Sequence, residues 1–288
     1  MMLQTDISGV SDGPIFRNIT NKASNMSEPL TFGSLFAGIG GFDLGFERAG
    51  MVCKWQVEID DYATKVLEKH WPNVRRHDDV RTWPQPDTER VDVICGGFPC
   101  QDVSYAGKGA GLDGERSGLF FEAIRVVREL RPRIVVLENV AALLARGMDR
   151  VLRELAKIGF DAEWECLPAG AFGAVHGRDR IFVLACDTDS FNVGSFCGSA
   201  RQRKKAATDG GLQRKDSLRL PWRNSTRPGW RGYWEHEPAV GRVANGVSNR
   251  VDRLRGLGNA VVPQVAEWIG RRIVGAVKEQ NERATRPD

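Results

Sequence analysis

The 288-residue chain contains no unbroken apolar run of about 18 or more residues, the length a membrane-crossing helix needs. It also lacks the apolar core of a signal peptide. Residues 1–28 are polar and rich in Asn and Ser, and they read as a flexible leader spanning 1–30. Histidine is scarce: His70, His77, His176 and His236 are all there are. The six cysteines (Cys53, Cys95, Cys100, Cys166, Cys186 and Cys197) show no repeated spacing and do not cluster with the histidines. That excludes a zinc site and a disulfide framework, so no metal is expected, and reduced thiols fit a cytoplasmic protein. Internal repeats are absent. A large excess of one charge sign is lacking too: the net charge is +4 and the pI about 8.8, which permits a polyanionic partner without demanding one.

What is present suits one substantial domain with a small second lobe: 41% of the residues are hydrophobic, enough for a real core. Apolar runs at 31–36, 51–57, 91–95, 134–137, 162–167 and 181–185 predict strands. Helical periodicity fits 42–49, 61–70, 119–130 and 151–158, the last stopped by Gly159. A further helix is expected from Val261, with Val262, Val265, Ile269, Ile273 and Val277 on one face and Pro263 near its start. Strands alternating with helices imply an α/β fold, a doubly wound Rossmann-like sheet over residues 31–186. In such sheets ligands collect at the carboxyl ends of the strands. The unusual residues lie there: a glycine loop, Glu58, Gly96–Gln101 and Glu138.

After Cys186 the composition shifts. Residues 187–240 are crowded with Arg and Lys (Arg201, Arg203, Lys204, Lys205, Arg214, Lys215), with Trp222, Trp230, Tyr233 and Trp234 interleaved. A disordered basic loop is the plain reading. The functional one is a small target-recognition lobe that neutralises phosphates and stacks or packs its aromatics. Residues 241–288 then return to the main domain.

Three signals carry chemistry. Phe36-Ala-Gly-Ile-Gly-Gly41 follows a strand and precedes a helix, so its backbone can approach a ligand closely beside free helix N–H groups. Glu58 ends the next strand, about 20 residues on, where a carboxylate can accept ribose hydroxyls. Many α/β proteins use such glycines for packing alone; with Glu58 they indicate a nucleoside cofactor, NAD or S-adenosylmethionine. Gly96-Gly97-Phe98-Pro99-Cys100-Gln101 places a cysteine in a loop where no packing calls for it. A lone cysteine is more often a buried small hydrophobe; here it is a candidate nucleophile. Glu138-Asn139-Val140 ends another strand. A salt bridge or helix cap could explain Glu138, and so could an acid facing the cysteine across a pocket.

These runs, with Arg178-Asp179-Arg180 and Gly258-Asn259-Ala260-Val261-Val262-Pro263, occur in an order that resembles the cytosine-5 DNA methyltransferases, in the small form carried by phages and prophages. The resemblance covers about residues 31–186 and 241–277. It implies a DNA (cytosine-5-)-methyltransferase using S-adenosyl-L-methionine, with S-adenosyl-L-homocysteine as product and double-stranded DNA as partner. It further implies Cys100 as nucleophile, Glu138 at the cytosine ring nitrogen, and Arg178 and Arg180 in the catalytic set. Phe36, Gly38, Gly40, Glu58, Ile59, Asp79, Phe98 and Asn259 are implied as cofactor contacts, Asp79 reading the adenine amino group with Asp78 its neighbour. A cognate restriction endonuclease is a further partner such enzymes can have, and monomeric action is expected.

The chain departs from the family pattern in two places. His176 stands where the family commonly has Gln, and an imidazole can still donate a hydrogen bond there. The segment 242–255 replaces a longer stretch that organises the recognition lobe. Three other readings compete: an RNA cytosine-5 methyltransferase, a non-catalytic DNA-binding regulator, and an NAD-dependent dehydrogenase. The last would leave the cysteine loop and the arginine pair without a purpose.

Overall fold

A computed structural model describes residues 28–99, 118–174, 177–189 and 250–284. Cys100, His176, Cys197 and nearly all of the 187–240 segment lie outside the described residues.

The frame is a seven-stranded sheet: β1 (Thr31–Leu35), β2 (Val52–Val57), β3 (Arg75–His77), β4 (Val93–Gly97), β5 (Ile134–Val140), β6 (Phe160–Pro168) and β7 (Asp179–Asp187). Their order is β3-β2-β1-β4-β5-β7-β6. The first five are parallel, while β7 runs antiparallel to both β5 and β6. The winding reverses between β1 and β4, the switch point at which doubly wound sheets bind ligands. The helices are α1 (Gly41–Arg48), α2 (Asp61–His70), α3 (Gly118–Leu130), α4 (Leu143–Arg146), α5 (Met148–Lys157), α6 (Arg250–Asn259) and α7 (Pro263–Ala284), with 3-10 turns at Val80–Thr82 and Ala169–Phe172.

Strand residues alternate between two buried layers, as the two-residue pleat requires. Val93, Cys95, Ile134 and Val136 face one layer with Phe42 and Phe46 of α1 and Val265, Ile269 and Ile273 of α7. Ile94, Val135 and Leu137 face the other, with Phe120, Ile124 and Val127 of α3 and Val151 and Leu155 of α5. The α1–α7 crossing is close because it is built from small residues. A Cβ on Gly45 would lie 2.4 Å from the Ala266 Cβ, and one on Gly41 would lie 2.3 Å from the Val261 carbonyl oxygen.

The expected α/β architecture is present, with local corrections. The strand expected at 91–95 begins two residues later and extends to Gly97. Leu30, assigned to the leader, is 3% exposed and packed in the core, and its carbonyl accepts from Val52 N. Strand β3 and helix α6 were not expected at all. β3 is a three-residue edge strand, Arg75-Arg76-His77, paired among the described residues with β2 alone. α6 carries two glycines, and its Val251 and Leu257 are exposed.

Candidate active site

The site lies at the carboxyl ends of β1, β2, β4 and β5. Residues following these strands line one cavity of ≈ 460 Å³, within the ~300–1,000 Å³ of small-molecule clefts. Its first wall is the glycine loop. Phe36 takes φ 52, a left-handed conformation that costs a non-glycine residue energy and marks functional turns. Gly38 (φ 57) and Gly40 (φ 85) continue the turn at no such cost, and a Cβ on Gly40 would strike the Trp71 ring at 2.4 Å.

Glu58 is held in place by the backbone. Gly38 N donates to its Oε2 at 2.7 Å and Asp60 N to its Oε1 at 2.9 Å. Each carboxylate oxygen keeps a further lone pair for a ligand hydroxyl. Asp60 in turn caps α2, accepting from Ala63 N at 3.0 Å. Ile59, 66% exposed, forms an apolar wall of the same cavity. Asp78 and Asp79 both line it too. Asp79 caps the Val80–Thr82 turn through Arg81 N at 2.9 Å, and that backbone bond, with the Arg81 side chain, holds its carboxyl below the usual range.

Glu138 sits at the other end of the cavity. The register sets Glu138 beside Gly97 and Val140 beside Arg180, so Glu138 and Arg180 project from one face of the sheet. Gly97 leaves room for the carboxyl: a Cβ there would lie 2.8 Å from Oε2. Glu138 is 6% exposed, and burial pushes its carboxyl up from 4.5 to about 7, with Arg180 and then Arg178 pulling it back. Arg180 Nε lies 2.9 Å from Oε1, a charge-assisted contact that opposes the effect of burial. The pair places a buried carboxyl and a guanidinium side by side at the cavity wall.

Asn139, which sequence reasoning quoted without a role, links this strand to the cysteine loop. Its Nδ2 donates to the Phe98 carbonyl at 3.1 Å and its Oδ1 accepts from Val140 N at 2.8 Å. Phe98 is 3% exposed, packs on Phe120 at 5.1 Å, and carries Pro99 to the cavity edge. Cys100 follows directly in the chain. The described cysteines are poor nucleophiles. Burial pushes the thiols of Cys53 and Cys95 far up and that of Cys186 up to about 12, and half-buried Cys166 is also raised.

The expected residues do not all converge. Phe36, Gly38, Glu58, Ile59, Asp79, Phe98, Glu138, Arg180 and Asn259 line the cavity; Gly40 shapes its loop from behind. Arg178 does not line it. Its guanidinium donates to the Gly258 carbonyl at 2.5 Å and the Ala260 carbonyl at 2.9 Å, pinning the α6–α7 connection to the start of β7. One side of α6 adds Asp252 and Gly256 to the wall. Sequence reasoning missed both because it placed no helix there; the i, i+4, i+7 spacing of Asp252, Gly256 and Asn259 was the available signal.

Among the described residues, cavity carboxylates (Glu58, Asp60, Asp78, Asp79, Glu138 and Asp252) outnumber the cations Arg81 and Arg180. Such a lining suits a ligand carrying positive charge, an adenine amino group and ribose hydroxyls.

Comparison with known proteins identifies a family. The family described as C-5 cytosine-specific DNA methylase matches residues 30–220. The chain is 33% identical over 193 residues to the Type II methyltransferase M.BsuFI of Bacillus subtilis, covering 65% of this chain and 47% of that protein. It is 32% identical over 171 residues to the Type II methyltransferase M.HhaI of Haemophilus parahaemolyticus, covering 58% and 52%. Among solved structures, the S. pombe Dnmt2 methyltransferase superposes with a TM-score of 0.47 at 19% identity, covering 61% of this chain and 58% of that one. The chain spans about half the length of the curated relatives it matches. The family match runs over more than half of the chain, and the chain belongs to the C-5 cytosine-specific DNA methylase family.

Proposed function

We propose that the chain transfers a methyl group from S-adenosyl-L-methionine to carbon 5 of cytosine in double-stranded DNA. The observation that carries this reading is Glu138: a buried carboxyl, raised to about 7, held against Arg180 Nε at 2.9 Å at the end of a glycine-lined cavity. S-adenosylmethionine supplies an electrophilic methyl on a sulfonium. The residues present fit it: Glu58 takes the ribose hydroxyls, Asp79 the adenine amino group, Phe36 and Ile59 the faces of the adenine, and the acidic lining the positive charge. Asn259 would form part of the wall that closes the cofactor pocket.

The reacting cytosine cannot be reached inside a stacked duplex, so it flips into the pocket. Cys100 Sγ, as thiolate, adds to carbon 6 and forms a C–S bond. Glu138, protonated, donates to ring nitrogen 3 and stabilises the charge that develops there. Arg180 holds Glu138 in position and contacts the base. Carbon 5, now enamine-like, would take the methyl as the sulfonium S–CH3 bond breaks, with S-adenosyl-L-homocysteine as the leaving thioether. A base, through water, then removes the carbon 5 proton, and the Cys100 thiolate departs as the ring double bond re-forms. Arg178 acts on this machinery by fixing the α6–α7 connection. Residues 187–240 serve as the target-recognition lobe, the chain works as a monomer, and a cognate restriction endonuclease is the partner whose sites such methylation would protect.

The test is transfer of tritiated methyl from S-adenosylmethionine to genomic DNA and to total RNA. Incorporation into DNA that disappears in Cys100→Ser, while S-adenosylmethionine binding persists, is the expected result. Incorporation into RNA alone, or undiminished transfer by C100S, contradicts the reading.

A further inference from the structure

One side chain outside the cavity holds part of its wall. The Val80–Thr82 turn is a single 3-10 turn closed by two long backbone hydrogen bonds, Thr82 N to Asp79 O at 3.1 Å and Trp83 N to Val80 O at 3.3 Å. Such turns are marginal by themselves, and their last carbonyls need partners. Gln85 Nε2 donates to the Thr82 carbonyl at 2.6 Å, and Arg125 of α3 serves the carbonyls on either side of it. Its Nη2 donates to Val80 O at 2.8 Å and Trp83 O at 2.6 Å, and lies 3.4 Å from Arg81 O.

The guanidinium is itself fixed from both sides. Glu122 takes Nε at 2.7 Å and Glu129 takes Nη1 at 3.1 Å, three residues before and four after on the same helix. The opposite face of α3 is buried through Phe120, Ala123, Ile124 and Val127. Arg125 is therefore anchored to the sheet at one end and grips the turn at the other, and Asp78, Asp79, Val80 and Arg81 of that turn line the cavity. Leu119 of α3 lines it as well.

We propose that Arg125 is a positioning residue for cofactor recognition, holding the Val80–Thr82 turn so that Asp79 meets the adenine edge of S-adenosylmethionine. This rests on the assignment of the cavity to that cofactor. A simple surface ion pair would contribute little to anything. Here a planar fork spends its donors on two carboxylates and the turn's carbonyls, a geometry that the single ammonium of lysine does not reproduce.

The test measures binding of two ligands to the full chain by calorimetry: S-adenosylhomocysteine, and its 6-oxo analogue S-inosylhomocysteine, which lacks the adenine amino group. Wild type should prefer the adenosyl ligand by roughly 10- to 100-fold, the worth of a hydrogen bond to a charged group. Arg125→Met should weaken the adenosyl ligand about 10-fold and leave the inosyl ligand nearly unchanged, so that the preference collapses. Arg125→Lys, the variant to read if R125M loses its thermal transition, should behave the same way. The kcat at saturating S-adenosylmethionine should stay within about twofold of wild type while KM for the cofactor rises. A wild-type preference retained by folded R125M or R125K overturns the role of Arg125 alone. A wild type that binds neither ligand overturns the cavity assignment, and this inference with it.

Discussion

The chemistry concentrates on a few side chains whose states follow from what surrounds them. Glu138 is buried, and its proton affinity is set chiefly by lost hydration, with Arg180 opposing. Its native carboxyl keeps a proton to about pH 7, whereas the unfolded carboxyl releases it near 4.5. The native state thus holds more protons across that window, and stability falls as pH rises through it. Activity that needs the protonated acid should fall as pH rises through about 7. Glu138→Gln should remove that limb from the pH–rate profile and lower kcat by roughly 10²- to 10⁴-fold, the range for losing a positioned acid. Steady-state rates from pH 6 to 9 check both. Asn139 acts one step away. Asn139→Ala leaves the Phe98 carbonyl without its side-chain donor, a loss of about 1–3 kcal/mol. It should lower kcat while cofactor affinity, measured by calorimetry, stays close to wild type. These roles were unevenly legible. Glu138 stood out as a carboxylate at a strand end, but nothing in the sequence showed that Asn139 would turn back onto the cysteine loop. That contact depends on β4 and β5 lying side by side, a long-range fact.

At the scale of elements, α1 brings a buried carboxylate into the layer behind the glycine loop. Asp43 accepts from Gln56 Nε2 at 2.8 Å and Ser34 Oγ at 3.2 Å, with Cys53 Sγ at 3.6 Å. Burial raises it from 3.8 to about 6 despite these donors. Above pH 6 it is charged in both states, and keeping it so in the core costs on the order of 3 kcal/mol relative to low pH. Asp43→Asn can retain the Gln56 bond, so its stability relative to wild type should rise between pH 4 and 6.5 and then level off. Urea unfolding of both proteins across that range measures the difference. Periodicity made the strong elements readable: α7 buries Val265, Ile269, Ile273 and Val277 as its spacing required. It failed where burial does not pattern the residues. β3 is held by one neighbour and carries Arg and His, and α6 leans on Ile39 and Tyr62 through a glycine. The arginine pair was readable as a motif but not as two jobs. Only the fold shows Arg180 turning to Glu138 and Arg178 turning to the carbonyls of Gly258 and Ala260.

Over the whole molecule, the chain returns from far along the sequence to complete the cofactor side. α7 crosses α1 at glycine contacts, and α6 closes the cavity. Widening that crossing should therefore reach the site. Gly45→Val places atoms against Ala266 and the Pro263 carbonyl and should cost about 1–3 kcal/mol of stability by overpacking. It should also weaken S-adenosylhomocysteine binding, whereas a substitution of equal cost at the far end of the sheet should not; paired melts and calorimetry separate the two. The most direct test of the account as a whole is methylation sequencing of DNA from cells expressing the wild-type chain or Cys100→Ala. The account predicts 5-methylcytosine at one short recurring sequence in the wild-type sample and none in the C100A sample. The same marks in both samples, or none from a folded wild type that binds S-adenosylmethionine, would contradict it.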